Sequence, residues 1–167
     1  MPPWVLEIMQ VFREEFSDLP NLAEVTRVVV RLVSAAILGG ILGFEREQEG
    51  KSAGLRTHML VALGAALFVL VPMQAGVSDA DLTRVLQGLV AGIGFLGAGT
   101  IIKGPDTDKV KGLTTAANIW LTAAVGMAAG MGREATAVVC TALAFIILAS
   151  VPKFSRFLHK KRESRRS

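Results

Sequence analysis

The stretch KSAGLRTHMLVALGAALFVLVPMQA (Lys51–Ala75) decides the fold. Lys51 and Arg56 flank a glycine, and then His58–Ala75 runs without an Asp, Glu, Lys or Arg. As a helix, a run of this length approaches the ~30 Å thickness of a bilayer's hydrocarbon core. Lipid offers no partner to a bare N–H or C=O, so a lone apolar run must bond to itself as a helix. A barrel strand would place a polar residue at every second position, and this run does not. Working outward, four more runs read the same way: Val28–Phe44, Val85–Ile102, Leu113–Met131 and Ala135–Val151.

The composition agrees. Of 167 residues, 51% are hydrophobic and 19% charged, and mean hydropathy is +0.50, too little polar surface to cover a soluble core. This excludes a typical soluble enzyme, a disordered chain and a coiled coil. Cys140 is the single cysteine, so no internal disulfide exists; it reads as a small apolar filler. The net charge of +4 is explained by where the charges fall. Thirteen Lys and Arg lie in the loop between runs one and two, the loop between runs three and four, and the segment after Val151. The opposite side holds Arg13, Arg27, Arg84 and Arg133, with Arg31 just inside the first run, where it can snorkel. The positive-inside rule then places the N-terminus outside and the C-terminus in the cytoplasm.

The expected fold is all-α: a polytopic membrane protein of five transmembrane helices over residues 21–152, with a separate interfacial helix over 1–20 and a basic cytoplasmic tail over 153–167. In the first segment Val5, Ile8, Met9, Phe12 and Phe16 share one helical face, anchored by Trp4 and ended by Pro20. With Glu7 and no basic leader before the first run, that run reads as an uncleaved anchor. Asn21 with Glu24, and Ser78 with Asp81, have the spacing of capping boxes.

A shift of 58 residues aligns the first hairpin with the second. Between positions 38 and 66, nine of 29 pairs are identical, sharing K-x-x-G-L-x-T-x5-L-x-A-A. Both hairpins run in the same sense, so the repeat is parallel, with its pseudo-axis along the membrane normal. The matched loops place Lys51, Gly54 and Thr57 against Lys109, Gly112 and Thr115. Thr57 and Thr115 are expected to cap their helices. The two helix N-termini with their lysines form a positive rim, suited to phosphate or a carboxylate, or else serving only as caps and topology signal.

Gly88 and Gly92, followed by Gly94, Gly97 and Gly99, favour close helix packing, or a broken helix that exposes carbonyls. Glu45, Arg46, Glu47 and Glu49 crowd a helix C-terminus, where carboxylates are unfavourable and need a partner. Glu45 and Glu49 share a face; Lys51 or Arg56 are candidate partners, or a divalent cation. Asn118, one turn into the fourth run beside Trp120, can hydrogen-bond across the bundle or coordinate a solute. His58, without clustered Cys or His, is a weak metal candidate and a potential pH sensor. No metal site, cofactor or catalytic residue is expected: no nucleophile–base pair, zinc-ligand spacing or phosphate-binding loop is present. The tail Lys153–Arg166 carries Phe154, Phe157 and Leu158 on one face, a pattern for anionic lipid or a solvated topology signal. No module that presents nucleic acid is recognisable.

Four blocks, in order, resemble the MgtC/SapB family of bacterial inner-membrane proteins: Gly43–Glu47, Lys51–His58, Gly92–Gly99 and Gly112–Trp120. The resemblance covers roughly Arg27 to Gly132 and weakens in the fifth run. It implies a polytopic protein of the bacterial inner membrane that is not an enzyme, associated with growth at low magnesium and, in pathogens, with survival inside macrophages. Some members carry a soluble cytoplasmic domain after the last span; here a 16-residue basic segment begins at Pro152. Two functions remain open: a membrane regulator that docks onto other membrane proteins, or an oligomeric transporter or channel subunit for an ion or small solute. In either case the expected partners are the bilayer and further copies of the chain.

Overall fold

The structure is a computed structural model that describes residues 2–19, 21–103 and 110–163. Among these residues the chain is helical apart from one short hairpin. The helices are α1 (Pro3–Glu15), α2 (Leu22–Gln48), α3 (Leu55–Gln74), α4 (Asp79–Ala98), α5 (Leu113–Gly130) and α6 (Glu134–Glu163). Strands β1 (Ile102–Lys103) and β2 (Val110–Lys111) pair antiparallel between α4 and α5, with Ile102 opposite Lys111. Chain contacts divide the molecule into two units, Met1–Val30 and Arg31–Ser167.

In the first unit, α1 has no buried residue. Its apolar side chains stand in the open, and the Phe12 and Phe16 rings stack with centroids 6.5 Å apart. The helix stops at Glu15, with Phe16 as its C-cap, before Pro20 is reached. Asn21 Oδ1 accepts from the Glu24 N–H at 2.9 Å, one half of the capping box, while the Glu24 carboxylate pairs with Arg27.

The second unit is built on small residues. One core cluster gathers Ala35 and Leu38 of α2, Ala62 and Ala66 of α3, Val125 and Ala129 of α5, and Ala137 of α6. Another joins Ala65 of α3 and Ile93 of α4 to Ile119 and Ala123 of α5. Leu42 of α2 packs with Ala144 and Leu148 of α6. The closest approaches occur where glycine meets backbone. A Cβ on Gly126 would lie 2.2 Å from the Ala62 carbonyl oxygen, and one on Gly130 would lie 2.5 Å from that of Ala66. On the other flank of α3, a Cβ on Gly39 would meet the His58 carbonyl at 2.6 Å. So α3 is gripped from both sides through small residues four apart. In lipid, where oily side chains gain little by associating, such backbone contact is what holds helices together.

The glycines of α4 take little part in these contacts. At Gly88, Gly92 and Gly94 an added Cβ would meet nothing within 4 Å, and at Gly99 it would meet only carbonyls of its own helix. Gly97 alone of that group touches another helix, against Ala116 of α5. Among the described residues the glycine stripe is therefore largely bare, and α4 reaches α5 through its other face.

Helix bounds differ too. The apolar run expected to span Val85–Ile102 is helical only to Ala98. There the Thr100 hydroxyl folds back on the Gly97 carbonyl at 2.7 Å, and the chain enters β1. Among the described residues, α2, α3 and α5 are long and apolar enough to cross a membrane. Ser78 caps α4, its hydroxyl accepting from the Asp81 N–H. The helix α6 continues through the basic segment to Glu163; the side chains there lie outside the described residues, as does Lys109.

Candidate functional site

Polar side chains gather where the C-terminal end of α2 meets the N-terminal ends of α3 and α5. Gly43 makes the approach possible, since a Cβ there would stand 2.8 Å from both the Leu55 Cα and the His58 Cβ. Here Glu45 and Arg46 lie buried and ion-paired, two guanidinium nitrogens facing the two carboxylate oxygens. This corrects the expected partner. Neighbours in a helix do not face each other, so the sequence pointed to Lys51 or Arg56; the long Arg46 side chain instead folds back along Glu45. Both of the expected partners are exposed.

The capping expectation is corrected as well. Helices α3 and α5 begin at the matched residues Leu55 and Leu113, but their N-caps are Gly54 and Gly112, and neither uses a side chain of its own. Thr57 and Thr115 fall one turn too far in. Gly112 adopts φ +92°, and a Cβ there would strike the Thr100 carbonyl at 1.9 Å, so only glycine fits. The first N–H of α3 is met from outside the helix: Glu47 Oε2 accepts from Leu55 N at 2.8 Å.

Deeper in, His58 is wholly buried between two partners. Its Nδ1 lies 2.8 Å from the Gly54 carbonyl, and its Nε2 lies 2.8 Å from Asn118 Nδ2 of α5. A carbonyl only accepts, so Nδ1 carries the proton, and the bare Nε2 accepts from the Asn118 amide. The imidazole is thus held neutral in one tautomer. Within α5, the Thr122 hydroxyl donates to the backbone carbonyl of Asn118 at 2.8 Å. The His58–Asn118 bond fastens α3 to α5 beside the glycine contacts.

A cavity of about 510 Å³ opens next to this network. Its walls include Arg46, Glu49 and Lys51, the first turn of α5, and Ile147 and Leu148 of α6. Thr115 is 4% exposed and belongs to that wall. Arg56 and Thr57 are not brought here; they border a separate apolar groove along α3 and α4, with Phe68 and Leu96. Among the described residues no group of three or more His, Cys, Asp or Glu could hold a metal ion. The sequence reading missed Gly39, Gly43, Gly126 and Gly130. Their signal was present as four-residue spacings between small residues, against Ala62 and Ala66 on the facing helix.

The chain is 41% identical over 137 residues to protein SrpB of Synechococcus elongatus, covering three quarters (75%) of each chain. It is 40% identical to YhiD of Escherichia coli K12, over 72% of this chain and 58% of that one. It is 48% identical to protein MgtC of Brucella abortus, over 66% of this chain and 45% of that one. The chain therefore spans about half the length of several of these relatives. No solved structure matches it. The family model described as MgtC family matches residues 32–157, which takes in α3 to α5 and the C-terminal part of α2, the elements that carry the polar network, and the chain belongs to that family.

Proposed function

We propose that this protein is a non-enzymatic regulator in the bacterial inner membrane, serving adaptation to low magnesium, and that it acts by docking α4 onto other membrane proteins. The observation that carries this reading is the bare stripe on α4. Gly88 and Gly92 line an apolar groove of about 460 Å³ with Phe68, Leu89, Ile93 and Leu96, and no described part of the chain fills the space where their side chains would be. Every other glycine pair at that spacing in the membrane-spanning helices is spent on a neighbour. The magnesium connection rests on the family and on YhiD, whose name provisionally assigns it to magnesium transport.

The topology proposed with it has five crossings, α2 to α6, in two parallel hairpins and a final helix, with the N-terminus outside. A reporter fused after Ser167 is then active in the cytoplasm and silent in the periplasm; the reverse pattern sinks the topology. A photo-crosslinker at Gly92 captures a membrane partner in cells grown at low magnesium, while the purified protein in liposomes changes no ion flux.

The buried His58–Asn118 pair favours a second reading, an oligomeric ion or small-solute transporter. Under it, liposomes show flux of Mg²⁺, K⁺, H⁺ or phosphate that Asn118→Ala or Glu45→Gln alters. Flux with that dependence overturns the regulator.

A further inference from the structure

We propose that the cavity at the start of α5 binds a single phosphate group, either free or as the headgroup of a phospholipid. Three observations converge on it, none of which depends on the docking role of α4.

The first is an unmet helix N-terminus. Among the described residues nothing accepts from the N–H groups of Leu113, Thr114 or Thr115, because the N-cap Gly112 has no side chain to offer. The matched start of α3 is closed by a carboxylate from the chain itself, Glu47. Adding 58 to that position gives Pro105, so the second half of the sequence carries no carboxylate at the corresponding place. The helix end that no anion among the described residues meets is the one that opens into the cavity. Free N–H groups at the positive end of an 18-residue helix favour an anion.

The second is Thr115. It is 4% exposed and lines the cavity, and its hydroxyl makes no hydrogen bond to a described residue. With the rest of the residue buried, that oxygen is reached from the cavity, where it can donate to or accept from a ligand that enters.

The third is the charge on the opposite wall. Arg46 is 3% exposed and lines the cavity, while the bonds to Glu45 use its Nε and one Nη. The second Nη therefore retains donors, and Lys51 stands on the same rim. Glu49 also borders the cavity, so the walls suit a phosphate monoanion or diester and disfavour a polyanion. Leu113, Ile147 and Leu148 supply an apolar wall on which the glycerol end of a lipid can rest.

The test uses the full chain purified in a neutral detergent and titrated with inorganic phosphate or with dioctanoyl phosphatidylglycerol, followed by calorimetry and ³¹P NMR. Dioctanoylglycerol, which lacks the headgroup, is the control. Binding of either phosphate probe but not of the control supports the proposal, and which probe binds assigns the source. Thr115→Val loses one hydrogen bond to a charged group and weakens binding about tenfold. Lys51→Gln, on an exposed residue whose loss leaves the fold intact, weakens it about threefold, whereas Arg56→Gln outside the cavity leaves it within about twofold. The proposal is overturned if neither phosphate probe binds, if Thr115→Val binds as tightly as wild type, or if Arg56→Gln weakens binding as much as Lys51→Gln.

Discussion

At the scale of single residues, the chain separates glycines that touch from glycines that do not. Gly126→Ala drives a methyl carbon into the Ala62 carbonyl of α3, a backbone atom that cannot rotate away. Overpacking of this kind costs about 1–3 kcal/mol, read as a lowered Tm in detergent. Gly92→Ala puts the same carbon into open space and leaves stability within about 0.5 kcal/mol of wild type, a contrast hydropathy alone does not predict. The His58–Asn118 pair makes a second prediction. Because the Gly54 carbonyl fixes the proton on Nδ1, ¹⁵N NMR of the imidazole reports the Nδ1–H tautomer at neutral pH. Asn118→Ala leaves Nε2 buried without a donor and destabilises by about 1–3 kcal/mol; an Nε2–H tautomer in the wild type contradicts the arrangement. Asn118 was legible in the sequence as a polar residue inside an apolar run. Its partner was not, because His58 lies 60 positions away and nothing in the order of residues names the pairing.

At the scale of elements, the helix ends were readable and their caps only partly so. Glycine followed by leucine marks the starts of α3 and α5 at Leu55 and Leu113, while the threonine three residues after each glycine suggested a cap that the backbone does not use. The carboxylate that serves α3 comes from the preceding helix across the turn, a contact eight residues long that no local pattern encodes. Glu47→Ala removes it and costs about 1 kcal/mol, measured as a fall in Tm with helix content unchanged. The Glu45–Arg46 pair behaves differently because both charges are buried. Glu45→Ala strands the guanidinium and costs about 3–5 kcal/mol, whereas the double change Glu45→Ala with Arg46→Met costs less than the single one. If the double change costs the sum of the two singles, the pair is not coupled. The early end of α4 at Ala98 escaped hydropathy for a related reason. The residues after it are still apolar enough to read as span, and only the Thr100 hydroxyl returning to the Gly97 carbonyl turns the chain toward β1.

At the scale of the molecule, the bare face of α4 and the grip on α3 separate the glycines into two groups with different expected effects. Gly92→Leu fills the groove and abolishes capture of a partner while Tm holds. Gly126→Leu lowers Tm first, and capture falls only as the protein unfolds. Equal effects of the two on capture at constant Tm would place the docking surface elsewhere. The sequence by itself determined that the chain is helical and apolar in long runs, because backbone hydrogen bonds must close within each run once water is gone. It also determined where the basic loops lie and which blocks mark the family. Only the tertiary structure decided which small residues meet, which glycine stripe stays open, and which carboxylate, arginine, histidine and asparagine share a buried end. Those outcomes depend on the rotation and depth of each helix against its neighbours, and close packing between distant segments sets these angles where local periodicity is silent.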